Sequence, residues 1–121
     1  MEAFEVSQLD PARDADGHGY VDVLASELLS VGYAVWPAGG RDGQQPHAED
    51  EVYHVVSGRA VIRVAGEDRP VARGSVVYVA AGVEHRFHSV SEDLHVLVFW
   101  APPYRSRSDA PAVAPGEAAA H

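Results

Sequence analysis

The clearest alternation in the chain lies in RAVIRV, residues 59–64. Ala60, Ile62 and Val64 fall on one face of an extended backbone and Arg59, Val61 and Arg63 on the other, as in a strand covered on one side. LHVLVFW, residues 94–100, is apolar on both faces apart from His95. That pattern fits a strand at the heart of a sandwich, or one whose outer face is capped by a partner subunit. Short runs rich in Val, Tyr, Phe and Trp recur from Tyr20 onward: YVDVLA, LLSVGYAVWP, DEVYHVVS, RAVIRVAG, RPVA, SVVYVA, EHRFHSV and DLHVLVFWA, with Gly39-Gly40, Gly58, Gly66, Gly74 and Gly82 at or near their ends. Punctuation this close leaves no room for long helices. It predicts an all-β, antiparallel jelly-roll sandwich or barrel of about eight strands.

The flanks read differently. Residues 1–19 carry a small apolar patch (Phe4, Val6, Leu9) beside DPARDADGHG, whose Asp, Gly and Pro content favours turns, so an N-terminal extension with at most a turn or two of helix is expected. The β-domain is placed at 20–102. From 103 to 121 the chain is rich in Ala and Pro with little to bury, and is expected to be a flexible tail.

One polar cluster interrupts this picture. In QQPHAEDEVYHVVSG, residues 44–58, Gln44, Gln45, His47, Glu49, Asp50 and Glu51 crowd the start of an apolar run. Side chains an even number of residues apart share a strand face, so Gln45, His47 and Glu51 can converge while His54 points away. Together they would offer a divalent ion an amide oxygen, an imidazole nitrogen and a carboxylate oxygen. A fourth ligand must come from another strand, and GSVVYVAAGVEHRFH supplies His85 just after a turn at Ala80-Ala81-Gly82. By the same parity Phe87 shares the face of His85 and His88 does not.

The spacing of these residues resembles the cupin superfamily. Its first motif has two histidines two apart, a glutamate about four residues on and a glycine seven after that; Gln45, His47, Glu51 and Gly58 stand at those positions, with Gln45 in place of the first histidine. Its second motif is matched by Gly74, Ala80-Ala81-Gly82 and His85, alanine standing for the proline. The resemblance spans roughly residues 29–102. It implies a compact single-domain bacterial cupin holding one divalent metal ion (Zn, Fe, Mn or Ni) on Gln45, His47, Glu51 and His85, and acting on a small molecule. Phosphomannose isomerases are similar in placing Gln at the first ligand position. A divalent ion with Glu51 keeps a net charge of about +1, which favours an anionic or enolate-forming ligand. The implied chemistry is redox-neutral isomerase, lyase or cyclase work, or dioxygenase work. The alternative is a small-molecule binding or sensing module without turnover. A homodimer is expected from the family's habit.

Composition narrows the rest. The 121 residues suit one domain, and 18 acidic against 9 basic residues give a formal charge of -9, a field that repels nucleic acid and anionic membranes. The chain has no cysteine, so any metal must be held by nitrogen and oxygen. The N-terminus lacks a basic and apolar leader pattern, and no apolar run approaches the roughly 18 residues of a membrane span; a cytoplasmic location is the default expectation. No serine sits in a nucleophile-elbow context. Glu49 and Asp50 read as surface charges, Tyr53 and Phe87 as pocket walls, and His95 and Tyr53 as the candidates for proton transfer.

Overall fold

Burial along the strands follows the alternation read from the sequence: Ala60 and Ile62 are buried, while Arg59 on the other face is exposed. The computed structural model describes residues 1–44 and 46–105. A single 3-10 turn at Val6–Gln8 precedes six strands: β1 (Gly19–Ala25), β2 (Ser30–Trp36), β3 (Asp50–Val64), β4 (Glu67–Ala72), β5 (Val76–Val79) and β6 (His85–Ala101). They form one antiparallel sheet in the order β1-β2-β6-β3-β4, with β5 also paired to β3. This is the expected all-β jelly-roll architecture.

The strand count is lower than expected because two pairs of predicted strands run together. DEVYHVVS and the RAVIRV of the next run are both within β3, and the HRFHSV of the seventh run and all of DLHVLVFWA within β6. Gly58 marks a bulge rather than a turn: its φ is +96°, and a Cβ there would collide with the carbonyl oxygen of Asp93 on β6. Only glycine tolerates both conditions. The β3–β6 register shifts three times between Val55 and Val61, which bends the long ladder so that the first half of β3 pairs with β5 and the second half with β4. Pro70 sits on β4, at the end of the sheet order, where a missing N–H costs no ladder bond.

The core gathers on the inner face. Trp36, Trp100, Tyr53, Phe87, Ile62 and Leu94 are all less than 2% exposed, and burying each large apolar side chain contributes about 1.5–3 kcal/mol. Trp36 packs on Phe87 at 4.8 Å between ring centroids and Phe87 on Tyr53 at 5.0 Å, so the aromatic stack runs from β2 across β6 to β3. β2 is buried on both faces, Val35 as completely as Trp36. The N-terminal segment is fastened to β6 by Arg13, whose guanidinium lies 3.1 Å from the Asp93 carboxylate.

Candidate metal centre

Three ionisable side chains meet where the inner face should be apolar. Glu51, second residue of β3, shares its face with Tyr53 and Val55 and is 1% exposed. His85, first residue of β6, shares its face with Phe87 and is 2% exposed. His47 is 4% exposed and comes from the loop before β3 rather than from the strand itself. Its carbonyl accepts a 2.7 Å hydrogen bond from the Gly82 N–H, which ties this loop to the turn leading into β6. Strand parity therefore explains Glu51 and His85, whereas a loop-to-loop bond positions His47.

The donor atoms fit one cation. Nε2 of His85 lies 3.2 Å and Nε2 of His47 3.4 Å from Oε1 of Glu51, and the ligand atoms of all three residues lie within 4.8 Å of one another. Metal–ligand bonds of about 2.0–2.2 Å place neighbouring ligand atoms roughly 2.9–3.6 Å apart at octahedral or tetrahedral angles. Both carboxylate oxygens of Glu51 and Nε2 of His85 are buried without a hydrogen-bond partner, a costly condition in an apolar interior. A divalent ion would satisfy all three atoms at once. Gln45, the fourth ligand expected, lies outside the described residues.

The surroundings orient the ligands and bias their protonation in opposite directions. His85 Nδ1 is 2.8 Å from the Val83 carbonyl; a carbonyl only accepts, so Nδ1 carries a proton, and in the neutral ring Nε2 presents its lone pair to the centre. Burial works against charge on His85, but the neighbouring Glu51 carboxylate outweighs it and the pKa is raised, while burial lowers that of His47 despite the same carboxylate. Behind the centre, Asp42 accepts hydrogen bonds from the Phe87 N–H at 2.7 Å and the Gln44 side-chain amide at 2.7 Å, and the Tyr53 hydroxyl donates to Gln44 Oε1 at 2.9 Å. Burial pushes the Asp42 carboxyl up to about 7 against the pull of these bonds. Burial likewise holds the Tyr53 phenol well above its ordinary value, so it remains a donor. Its ring centroid is 5.9 Å from that of His85.

Several sequence expectations meet the geometry differently. Glu49 is no surface charge: it is 1% exposed, and its Oε2 accepts the Arg105 N–H at 2.6 Å. Asp50 is exposed, as expected, and caps the Ala81 N–H at 2.8 Å. His95 lies on the outer face of β6, between the core-facing Leu94 and Val96 in sequence, with Nδ1 2.9 Å from the Tyr33 hydroxyl. It is thus across the sheet from Glu51. Tyr53 is brought to the centre; His54 and His88 are not among the grouped ligands. Tyr104 and Arg105, assigned from sequence to the tail, are packed: the Tyr104 ring stacks on Trp100 at 4.6 Å and meets the edge of His47 at 5.6 Å, and its N–H donates to Ser30 Oγ at 2.8 Å. Burial raises the Tyr104 phenol to about 12. Asp42, Gln44 and Tyr104 carry no signal in the sequence, because a loop acid and a post-strand aromatic look the same whether solvated or packed.

Known proteins with similar sequences or folds agree with this architecture. The chain is 53% identical over 103 residues to an uncharacterized protein of Streptomyces coelicolor, covering 85% of this chain and 98% of that one. Its fold is similar to the crystal structure of TT1209 from Thermus thermophilus (TM-score 0.75, 24% identity, 85% of this chain and 99% of that one). It is also similar to a predicted oxalate decarboxylase from Thermotoga maritima (TM-score 0.68, 21% identity, 82% of this chain and 97% of that one). Residues 32–101 match the family model described as the cupin domain, and with that match laid over β2 to β6 the chain belongs to the cupin family.

Proposed function

We propose that this protein is a metal-dependent cupin enzyme that binds one divalent ion through His47, Glu51 and His85, with Gln45 as the fourth ligand, and acts on a small organic acid or enolisable compound. The observation that carries the reading is the buried Glu51 carboxylate, flanked by two imidazole nitrogens at 3.2 and 3.4 Å without an aligned hydrogen bond to either of its oxygens. When bound, the ion supplies Lewis-acid polarisation of a substrate oxygen, or redox chemistry if it is iron. The chain's own residues do the rest. Val83 and Glu51 orient His85; Asp42 and Gln44 fix Tyr53, whose hydroxyl keeps its proton; and the Trp36–Phe87–Tyr53 stack excludes water from one side of the centre.

Redox-neutral isomerase, lyase or cyclase chemistry and dioxygenase chemistry both suit a three- or four-ligand centre with open positions. The likeness to a predicted oxalate decarboxylase supports a small carboxylic acid as substrate. A non-catalytic receptor is the second reading, favoured by how fully the centre is covered. Metal analysis of the purified chain tests the centre, and oxygen uptake by the iron-loaded protein separates oxygenase from redox-neutral work. Turnover that survives chelation would overturn the metal-dependent reading. A homodimer through the outer sheet face is part of the proposal, supported by the exposed Val76, Tyr78 and Phe99; sedimentation at two concentrations checks it.

A further inference from the structure

Beside the ligand triad lies a second set of buried polar atoms that the metal does not use. Trp100 is the cross-strand partner of Glu51 on one side and of Ser30 on the other, so its indole lies on the inner face next to the carboxylate. It is 1% exposed, and its Nε1–H is buried with no hydrogen-bond partner. The Tyr104 hydroxyl is buried in the same condition, and the two rings stack 28° from parallel with centroids 4.6 Å apart. The Tyr104 and His47 rings meet edge to face. An indole N–H donates and never accepts, so whatever meets it must bring an acceptor. Leaving such a donor dry is costly, and each of the two stacked rings carries one. The Tyr104 backbone is held by Ser30 and that of Arg105 by Glu49, which keeps the ring against Trp100 and His47.

We propose that Trp100 Nε1–H and the Tyr104 hydroxyl form a donor pair that receives a carboxylate or carbonyl oxygen of the small molecule bound beside His47, Glu51 and His85. The inference rests on the metal reading above and adds its substrate class: a small acid with at least two oxygens, one directed to the ion and one to the donor pair. The donor pair is a binding and orienting device, since neither group needs to give up its proton.

The chain contains two tryptophans, so Trp36 serves as an internal reference for Trp100 in a nitrogen–proton spectrum. Zinc is titrated into the full chain first, and malonate, a small dicarboxylate, second. The expected result is a downfield movement of the Trp100 indole resonance with malonate while Trp36 stays in place. Tyr104→Phe should weaken malonate by about fivefold to tenfold and leave zinc affinity within about twofold. Trp100→Phe should do the same, and if it fails to fold Tyr104→Phe still decides. Malonate binding with Trp100 unmoved, no malonate binding to the zinc-loaded chain, or an unaltered malonate affinity in Tyr104→Phe would each overturn the donor pair. Failure of zinc to bind is a separate result that sinks the metal reading; the malonate titration of the metal-free chain then judges the donor pair alone, an unmoved Trp100 overturning it.

Discussion

Among the described residues, two groups pair histidine with an acid at ion-pair distance, and they differ in how they are satisfied. On the outside, Asp68 accepts two hydrogen bonds from Arg63 at 2.8 Å and lies 3.0 Å from His88 Nε2; every partner is aligned, and the side chains are 27–42% exposed. On the inside, Glu51 lies between His47 and His85 at 3.2–3.4 Å with neither contact aligned, and all three are at most 4% exposed. The outer group is complete as it stands. The inner one, buried where desolvation is costly, is arranged for a partner that attracts three lone pairs at once. Proximity of histidine to carboxylate therefore carries little information by itself; burial combined with poor alignment carries much.

The largest expected effect is on ion binding. Glu51→Gln and His85→Ala should each weaken zinc by more than the roughly 10- to 100-fold typical of losing a residue that only hydrogen-bonds to a ligand, whereas Asp68→Asn, His88→Ala and His54→Ala should leave it unaltered. Calorimetry across the five variants checks this. Equal losses from the outer and inner groups would erase the distinction between them.

Next come the supports of the inner group. Asp42→Ala strips the buried Phe87 N–H of its acceptor and releases Gln44, and should destabilise the fold by about 1–3 kcal/mol; chemical denaturation measures it. Gly32→Ala would drive a Cβ into the phenol end of the Tyr20 side chain, which must swing aside, and should cost about 1–3 kcal/mol. A variant melting with the unsubstituted chain would show that Tyr20 moves aside freely.

The smallest effect belongs to the outer group and depends on pH. Arg63, and then His88, hold the Asp68 carboxyl well below the usual carboxylate range. A carboxyl whose pKa is lower folded than unfolded contributes stability above the unfolded value of about 3.9 and loses it as pH falls through the folded value. Asp68→Asn should thus be slightly less stable than the parent at neutral pH, the gap narrowing in acid. Denaturation midpoints from neutral pH downward test this, and a constant gap would mean that the ion pair contributes nothing.

Fold and site were legible to different depths. Strand faces were readable where period-two patterns translate directly into burial: Ile62 and Phe87 fall inward as the alternation requires. The number of strands was not, since Gly58 looks the same in a turn as in a bulge, and only the approach of Asp93 across the ladder distinguishes them. Glu51 and His85 could be found by parity within their strands. Glu49 could not, because its burial depends on Arg105, which is 56 residues away. His95 is the converse case: a histidine in an apolar strand invites a role, but it falls between two inward-facing residues and so faces outward.

The bond from Gly82 to the His47 carbonyl has a thermodynamic corollary. Because the His47 loop is already clasped to the turn that leads into His85, the triad is preassembled, and an arriving cation has little chain left to order. Capture should then proceed with a small entropy penalty, and added zinc should raise the melting temperature in proportion to the logarithm of its concentration without widening the transition.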